Sequence, residues 1–277
     1  MKTHFIYIPL LFLTMLECNA QQKQLKADVF ETSAAGNKLN KISGFSANKK
    51  SSIIQLLPDQ KFQTILGFGG SFTEASAYLM NKISKKNRDL ILEAYFGEDG
   101  ARYSLTRTHI NSCDFSLSQY SYAPIADDMT LRHFSVEPDK DDIIPMIKDA
   151  MNVSKEGFKI ISSPWTAPPW MKDNKDWRGG KLLPKYYETW ALYFEKYIEA
   201  YKAEGIDIWG VTVENEPLGC GNNWESMHYT PSEMTYFVKN HLGKTLKSAG
   251  HDVKILGYDQ NRGEELEKWA DVMFENE

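Results

Sequence analysis

The clearest chemical motif in the sequence is an acidic segment at the end of an apolar run. Trp209-Gly-Val-Thr-Val-Glu214-Asn215-Glu216-Pro217 places two carboxylates and an amide directly after residues that favour a β-strand. A carboxylic acid at a strand end can donate a proton to a leaving oxygen, and Asn215 can hydrogen-bond a sugar hydroxyl at the 2-position. We predict that Glu216 is a general acid and base. The alternative is a loop carboxylate that caps the next helix. Glu214 lies deeper on the same face and is interpreted as structural.

Strand and helix patterns alternate around this motif. Glycines directly after the helical patterns, such as Gly157, Gly205 and Gly250, match the positive φ that helix ends favour. The strands are predicted at Phe62–Phe68, Tyr103–Ile110, Phe158–Ser163, Ile208–Val213 and Val253–Tyr258. The helices are predicted at Ser84–Phe96, Asp141–Glu156, Pro184–Glu204, Ser232–Ala249 and from Glu264 to Phe274.

Five successive β–α units predict an α/β protein with a parallel sheet, either doubly wound or closed as a barrel. Gly67-Phe68-Gly69-Gly70 lacks the spacing of a dinucleotide-binding turn, which argues against the doubly wound alternative. Polar residues at strand ends favour a (β/α)8 TIM barrel. Because only about five of eight units are present and the chain stops within a helical pattern, we expect a truncated barrel at residues 61–277.

The N-terminal residues differ from the rest. Lys2 precedes an apolar run from Phe5 to Leu16, and small Ala20 follows, which predicts a signal peptide over residues 1–20 and a secreted or periplasmic protein. A lipid anchor at Cys18 is the minor alternative. The run is too short to span a bilayer, so no transmembrane segment is expected after cleavage. Residues 21–60, including the run Ile53–Leu57, have the turn-rich pattern of β-strands.

Composition limits the possible partners and cofactors. The net charge of −5 does not provide the basic surface that nucleic-acid binding requires. Signal cleavage would leave Cys113 and Cys220, which we expect to be buried free thiols. The sequence has no CxxC, HExxH or histidine cluster, so we expect no metal and no cofactor. Oligomeric state is not determined by these features.

Four segments together resemble glycoside hydrolase family 30, and within it the glucosylceramidase (acid β-glucosidase) type. They occur in the family's order and cover nearly all of the expected mature chain. The segments are Gln63-Thr-Ile-Leu-Gly-Phe-Gly-Gly-Ser-Phe-Thr-Glu-Ala-Ser-Ala77, Arg107 leading to Ser112-Cys-Asp-Phe115, Ser163-Pro-Trp-Thr-Ala-Pro-Pro-Trp170 and Val213-Glu-Asn-Glu-Pro217.

The resemblance implies a site that binds a β-linked glucoside or oligosaccharide. Arg107 and Asp114 are similar to residues that bind the nonreducing glucose, and Trp165 is similar to a tryptophan that contacts the sugar. The alternatives are a buried salt bridge between Arg107 and Asp114, and a core aromatic at Trp165. Trp170 follows Pro168-Pro169 and is interpreted as scaffold. The resemblance also implies that residues 21–60 join a β-sandwich beside the barrel.

The implied reaction is a double displacement, in which one carboxylate attacks the anomeric carbon while Glu216 protonates the departing oxygen and later activates water. The family's nucleophile follows the seventh strand. The unit spacing puts that strand beyond Glu277, so we expect the nucleophile outside this chain and the chain alone to be inactive.

Two alternatives to a glucosylceramidase or β-glucosidase activity remain open. The same family fold could act on β-1,6-glucan or a β-xyloside, because specificity depends on loops after the later strands. A different class of protein, an inactive carbohydrate-binding remnant of an enzyme, would share the same motifs without turnover.

Overall fold

The computed structural model describes residues 28–43, 52, 54–219 and 223–275. The predicted signal peptide, the alternative anchor at Cys18 and the residue Cys220 lie outside these ranges. Contacts divide the chain into two units, residues 1–62 and 63–277. In the first unit, β1 (Val29–Glu31) pairs antiparallel with β2 (Asn40–Ile42).

The strand predicted at Ile53–Leu57 is wrong where the structure describes it. Ile54, Leu56 and Leu57 belong to no strand, and their exposed fractions are 85%, 66% and 49%. Apolar residues stabilise a strand only where another element covers their face, and here the described residues offer no such cover. Ile54, Leu56 and Leu57 have side chains that favour a strand, but no described strand pairs with them.

The second unit contains a four-stranded parallel sheet, which confirms the predicted α/β class. Its strands are β3 (Leu105–Ile110), β4 (Lys159–Pro164), β5 (Gly210–Thr212) and β6 (Lys254–Leu256), paired in that order. Strand order follows chain order within this sheet, without the reversal that marks a doubly wound fold. All four carboxyl ends therefore lie at one edge.

The predicted strand at Phe62–Phe68 is wrong as a regular strand. The following residues instead run parallel to β3, where Phe72 donates its amide to the Arg107 carbonyl at 2.8 Å and Ser71 forms an isolated bridge. Residues 54–66 are all exposed, because no strand within the described ranges packs against them. A Cβ at Gly69 would collide with the Leu105 carbonyl, which explains glycine at this close approach.

Helices follow the strands, as predicted, and one helix was missed. Helix α1 (Glu74–Lys82) begins after the N-cap Thr73, whose side chain accepts the Ser76 amide, a motif that the sequence interpretation overlooked. The other helices are α2 (Lys85–Phe96), α3 (Ile143–Val153), α4 (Tyr187–Ala203), α5 (Pro231–Phe237), α6 (Gly243–Ser248) and α7 (Glu264–Phe274).

The helix predicted at Ser232–Ala249 is interrupted by a π-helical turn, Val238–Leu242, between α5 and α6. The predicted glycine stops after α4 and α6 are confirmed, since Gly205 and Gly250 both have φ of 78°. The stop predicted at Gly157 is wrong, because α3 already ends at Val153 and its C-cap is the extended Ser154. None of the helices in the described ranges combines the length and hydropathy needed to cross a bilayer.

Helix α4 supplies much of the core behind the sheet. Trp190, Tyr193, Phe194, Tyr197 and Tyr201 on this helix are all fully buried. The Tyr197 hydroxyl hydrogen-bonds Ser162 of β4 at 3.0 Å, which fixes the helix against the strand. This packing holds the carboxyl edge of the sheet, where the polar residues gather.

Candidate active site

The parallel sheet brings the predicted residues to one edge. Arg107 belongs to β3, Trp165 directly follows β4, and Asn215 and Glu216 follow β5. The Asn215 amide donates to the carbonyl of Pro164 at 2.7 Å, which joins the ends of β4 and β5. The site is therefore assembled by main-chain bonds between neighbouring strand ends.

The Arg107 guanidinium lies at the centre of the cluster. Its Nε donates to Ser163 Oγ at 3.0 Å, and its Nη2 donates to Asn215 Oδ1 at 2.8 Å. The same Nη2 lies 2.5 Å from Asp259 Oδ2, and Cζ stands 4.7 Å from the Trp165 ring centroid. Charge-assisted hydrogen bonds and a cation–π contact thus fix the Asn215 and Trp165 side chains.

Asp259 was missed in the sequence, although it follows the last predicted strand as Glu216 follows the one before. It forms an isolated parallel bridge with Asn215, and its side chain accepts from Ser163 Oγ at 3.2 Å. The salt bridge of Arg107 is made to Asp259 rather than to Asp114. By the strand-end rule, polar residues that directly follow a predicted strand mark the site. This rule selects Glu216, and it selects Asp259 as well.

Glu216 is half-buried and has the electrostatics of a general acid. Burial raises the pKa of its carboxyl, and the negative charges of Asp114 and Asp259 raise it further, while Arg107 opposes them. Its backbone φ is 50°, a left-handed conformation that is uncommon for residues other than glycine. Such strain is frequent at functional sites, and a raised pKa keeps the acid protonated closer to neutral pH.

Asp114 lies in the loop after β3 and is exposed. Partial burial raises the pKa of its carboxyl, with a further contribution from the nearby charge of Glu225, and hydrogen bonds from its own amide and from Trp165 lower it. Glu225, which the sequence interpretation also missed, is almost fully buried and accepts a hydrogen bond from Ser112 Oγ at 3.2 Å. Asp114 is thus exposed to solvent, and it lies close enough to Glu216 for its negative charge to raise the pKa of the Glu216 carboxyl.

The two tryptophans of the segment after β4 have different surroundings. Trp165 is held by Arg107 on its face and by His109, whose ring meets it edge-on at 6.5 Å. Trp170 points elsewhere: its Nε1 donates to the Ala123 carbonyl at 2.9 Å, and its ring packs on Tyr186 at 5.2 Å. These contacts agree with the interpretation of Trp170 as scaffold.

Glu214 is fully buried behind the site. Burial raises the pKa of its carboxyl well above the usual value, and the Lys172 ammonium partly opposes this effect. Lys172 is itself buried, and its Nζ donates to the carbonyls of Asp176 and Ser226 at 2.7 and 2.8 Å. Burial lowers the pKa of Lys172 to about 8. Glu214 faces the interior, as its structural interpretation requires.

Two further observations concern cofactors and thiols. Among the residues that the structure describes, no group of three or more histidine, cysteine, aspartate or glutamate side chains could hold a metal ion. Cys113, beside Asp114, is buried and forms no disulfide, and burial raises the pKa of its thiol to about 12.

Comparisons with known proteins agree with the geometry. The model of the glycosyl hydrolase family 30 TIM-barrel domain matches residues 65–277. The chain is 36% identical to putative glucosylceramidase 3 of Caenorhabditis elegans over 265 residues, covering 90% of this chain and 50% of that protein. It is 35% identical to the lysosomal acid glucosylceramidase of Mus musculus, covering 88% and 50%.

A solved structure is similar as well. The endo-β1,6-glucanase BT3312 superimposes with a TM-score of 0.77 at 33% identity, covering 90% of this chain and 56% of the other. The chain spans about half the length of the curated relatives it matches.

Proposed function

Since the chain belongs to glycosyl hydrolase family 30, we propose that its site hydrolyses β-glycosides by double displacement, with Glu216 as acid and base. The observation that carries this proposal is the raised pKa of a half-buried carboxyl beside an Arg107–Asn215 pair. In such a reaction the acid must hold a proton when the glycosidic bond breaks and must accept one when water attacks.

The neighbouring residues have complementary roles in this proposal. Asn215 keeps its side-chain amide NH2 for the 2-hydroxyl of the sugar, because its oxygen already accepts from Arg107. Asp114 accepts hydrogen bonds from sugar hydroxyls at the exposed side of the site. Trp165 contacts the ring of the sugar, and its orientation is supported by Arg107 and His109.

We propose that the nucleophile belongs to sequence that follows this chain in the complete enzyme. A retaining mechanism needs a second carboxylate about 5–5.5 Å from the acid to form the glycosyl-enzyme. In the same proposal, residues 61–277 contribute part of a TIM barrel, and β1 and β2, within residues 21–60, contribute to a β-sandwich. We also propose export after cleavage at Ala20, which N-terminal sequencing of secreted protein tests, with a lipidated start at Cys18 as the opposing result.

The favoured substrate is a β-glucoside of the glucosylceramide type, because the two curated relatives above carry glucosylceramidase names. The second candidate is β-1,6-glucan, which the likeness to BT3312 favours. These substrates share a β-linked glucose at the cleaved bond, so the residues around Glu216 serve either one. The aglycone side distinguishes them.

The test compares two proteins on a panel of substrates. One contains residues 21–277, and the other continues through whatever follows residue 277 in the native reading frame. Both are assayed on an aryl β-glucoside, an aryl β-xyloside, glucosylceramide and β-1,6-glucan. We expect turnover of β-glucosides by the longer protein alone. Binding without turnover by the longer protein would favour the inactive remnant, and turnover by residues 21–277 would put the nucleophile within this chain.

A further inference from the structure

The segment that follows Asp114, up to Leu117, has little apolar packing. Asp114 itself is exposed, and the two large apolar side chains that follow it, Phe115 and Leu117, have exposed fractions of 57% and 53%. Burial of apolar surface therefore contributes little to the position of this segment, although the proposed sugar-binding carboxylate depends on it. Hydrogen bonds must supply most of the order.

Two of these hydrogen bonds come from the first turn of α1. The Ala75 amide donates to the carbonyl of Phe115 at 3.0 Å, and the Leu117 amide donates to the Glu74 side chain, Oε2, at 2.9 Å. They hold the segment at two points just after Asp114. The Glu74 contact uses a carboxylate, which makes a stronger hydrogen bond with an amide than a neutral acceptor does.

Glu74 is also tied to β3, the strand from which the loop emerges. Its own amide donates to His109 Nε2 at 3.3 Å, and His109 Nδ1 lies 2.6 Å from the Asn111 carbonyl. Burial lowers the pKa of His109 to about 4, so the ring is neutral, with Nδ1–H as donor and Nε2 as acceptor. The strand, the helix start and the loop thus form one hydrogen-bonded unit.

Glu74 is a buried carboxylate, and its hydrogen bond with the Leu117 amide explains why a polar residue occupies this position. The residue is 9% exposed, and within the described ranges it makes no salt bridge. Placing a carboxylate here costs desolvation, which the helix N-terminus and the Leu117 amide offset. An apolar residue would pack at this position without that cost but would leave the loop amide unpaired.

We infer that Glu74 is a positioning residue for substrate binding, which holds Asp114 in place through the amide of Leu117. The inference rests on the proposed function, since it takes Asp114 as a sugar-binding group. Glu74 itself contacts no sugar. Its removal should weaken binding only through the displacement of Asp114.

The test uses the longer protein defined above and three variants. Glu74→Ala removes the acceptor, Glu74→Gln keeps an acceptor oxygen, and Asn81→Ala is the matched control. Asn81 lies on the same helix, and its side chain donates to the Asp141 carbonyl at 3.2 Å and accepts from Arg88 at 2.9 Å, so its hydrogen bonds do not involve the segment after Asp114. We expect Glu74→Ala to raise KM for an aryl β-glucoside about tenfold with a smaller change in kcat. Glu74→Gln should recover most of the loss, and Asn81→Ala should have the parent KM.

Two further measurements separate positioning from general stability. In an Asp114→Ala background, Glu74→Ala should change KM by no more than about twofold, because the group that it positions is already absent. Hydrogen exchange at the Leu117 amide should become faster in Glu74→Ala and return towards the parent rate in Glu74→Gln.

The outcomes distinguish this inference from the proposed function. An active parent with unchanged Leu117 exchange in Glu74→Ala, or with a full KM effect of Glu74→Ala in the Asp114→Ala background, overturns the positioning role alone. A parent that turns over none of the glycosides overturns the proposed function, and the substrate-binding role of Glu74 with it.

Discussion

The backbone carbonyl of Asp259 accepts the amide hydrogen of Glu216, with 2.8 Å between oxygen and nitrogen. This bond joins the ends of β5 and β6 and sets the carboxyl of Asp259 close to the proposed acid. The side chain of Asp259 meanwhile pairs with Arg107. Asp259 therefore influences Glu216 in two ways. Its backbone carbonyl fixes the position of the Glu216 main chain, and its negative charge raises the pKa of the Glu216 carboxyl.

The charge effect predicts a change in the pH profile. Asp259→Asn keeps the main-chain bond but removes a negative charge that raises the pKa of Glu216. It also frees Arg107, whose positive charge lowers that pKa. Both effects favour the ionised form of Glu216, so the acid should lose its proton at a lower pH. We expect the basic limb of the kcat/KM profile, which reports the free enzyme, to move to lower pH.

The control for this experiment is Asp252→Asn. Asp252 is fully exposed and its carboxylate lies 4.0 Å from the Lys254 ammonium, so removal of its charge should leave the profile unchanged. A basic limb that stays in place or moves upward in Asp259→Asn would assign it to a group other than Glu216.

The strand-end rule explains what the sequence could predict about the site. Polar residues that follow apolar runs are recognisable without a structure, and Glu216 was found on this ground together with Asn215. Asp259 satisfies the same rule, but its strand carries no motif comparable to Glu214-Asn-Glu-Pro217 that would single it out. The partner of Arg107 could not be predicted, since the pairing depends on which strand ends are neighbours.

The failures in the fold have a related cause. Phe62–Phe68 and Ile54–Leu57 have strand-like sequences, but a strand exists only through pairing with another segment, and propensity does not report whether one is present. Helix α1 was missed because its apolar pattern is weak, since only Glu74, Ala77 and Met80 of its residues are buried. Long amphipathic helices such as α4 were predicted well, because their hydrogen bonds are internal to the segment.

Sugar binding and scaffold roles can be separated by two substitutions. Asp114→Ala removes an exposed carboxylate and should raise KM by about tenfold or more with little change in Tm. Trp170→Ala removes a ring packed on Tyr186 and a hydrogen bond to Ala123. It should lower the free energy of unfolding by roughly 2–4 kcal/mol and leave KM unchanged. Equal destabilisation by both, with unchanged KM, would contradict the binding role of Asp114.

A buried carboxylate that is not among the proposed site residues should make stability depend on pH. Asp139 is fully buried and accepts hydrogen bonds from the hydroxyls of Tyr120, Tyr122 and Tyr201 at 3.0, 2.5 and 2.6 Å. Burial raises its pKa from 3.8 to about 6, although these hydrogen bonds oppose the shift. Between the two values the folded state holds more protons than the unfolded state, so stability falls as pH rises through this window.

The measurement is urea unfolding between about pH 4 and about pH 7. The Asp139 contribution to the free energy of unfolding should decrease by up to about 3 kcal/mol across the window and then level off. In Asp139→Asn this contribution is absent, so the difference between parent and variant should follow pH. A difference that is constant with pH would show that Asp139 has the same protonation in the folded and unfolded states.

The acid and base role of Glu216 can be tested by choosing the leaving group. Glu216→Gln removes the proton donor, so turnover of substrates with poor leaving groups should fall by about a hundredfold to ten-thousandfold. The aryloxide of an activated aryl β-glucoside leaves without needing a proton, so formation of the glycosyl-enzyme should persist. The intermediate should then accumulate, because water has lost its general base.

Azide provides the decisive observation. As an anion it attacks the glycosyl-enzyme without a base, so it should restore turnover of the aryl glucoside by Glu216→Gln and give a β-glucosyl azide. Retention of the β configuration would show two displacements, with the nucleophile intact and the acid and base removed. The control is Glu199→Gln, a substitution at an exposed carboxylate on α4, which should behave as the parent with and without azide. Full activity of Glu216→Gln on a substrate with a poor leaving group would assign the acid to another residue.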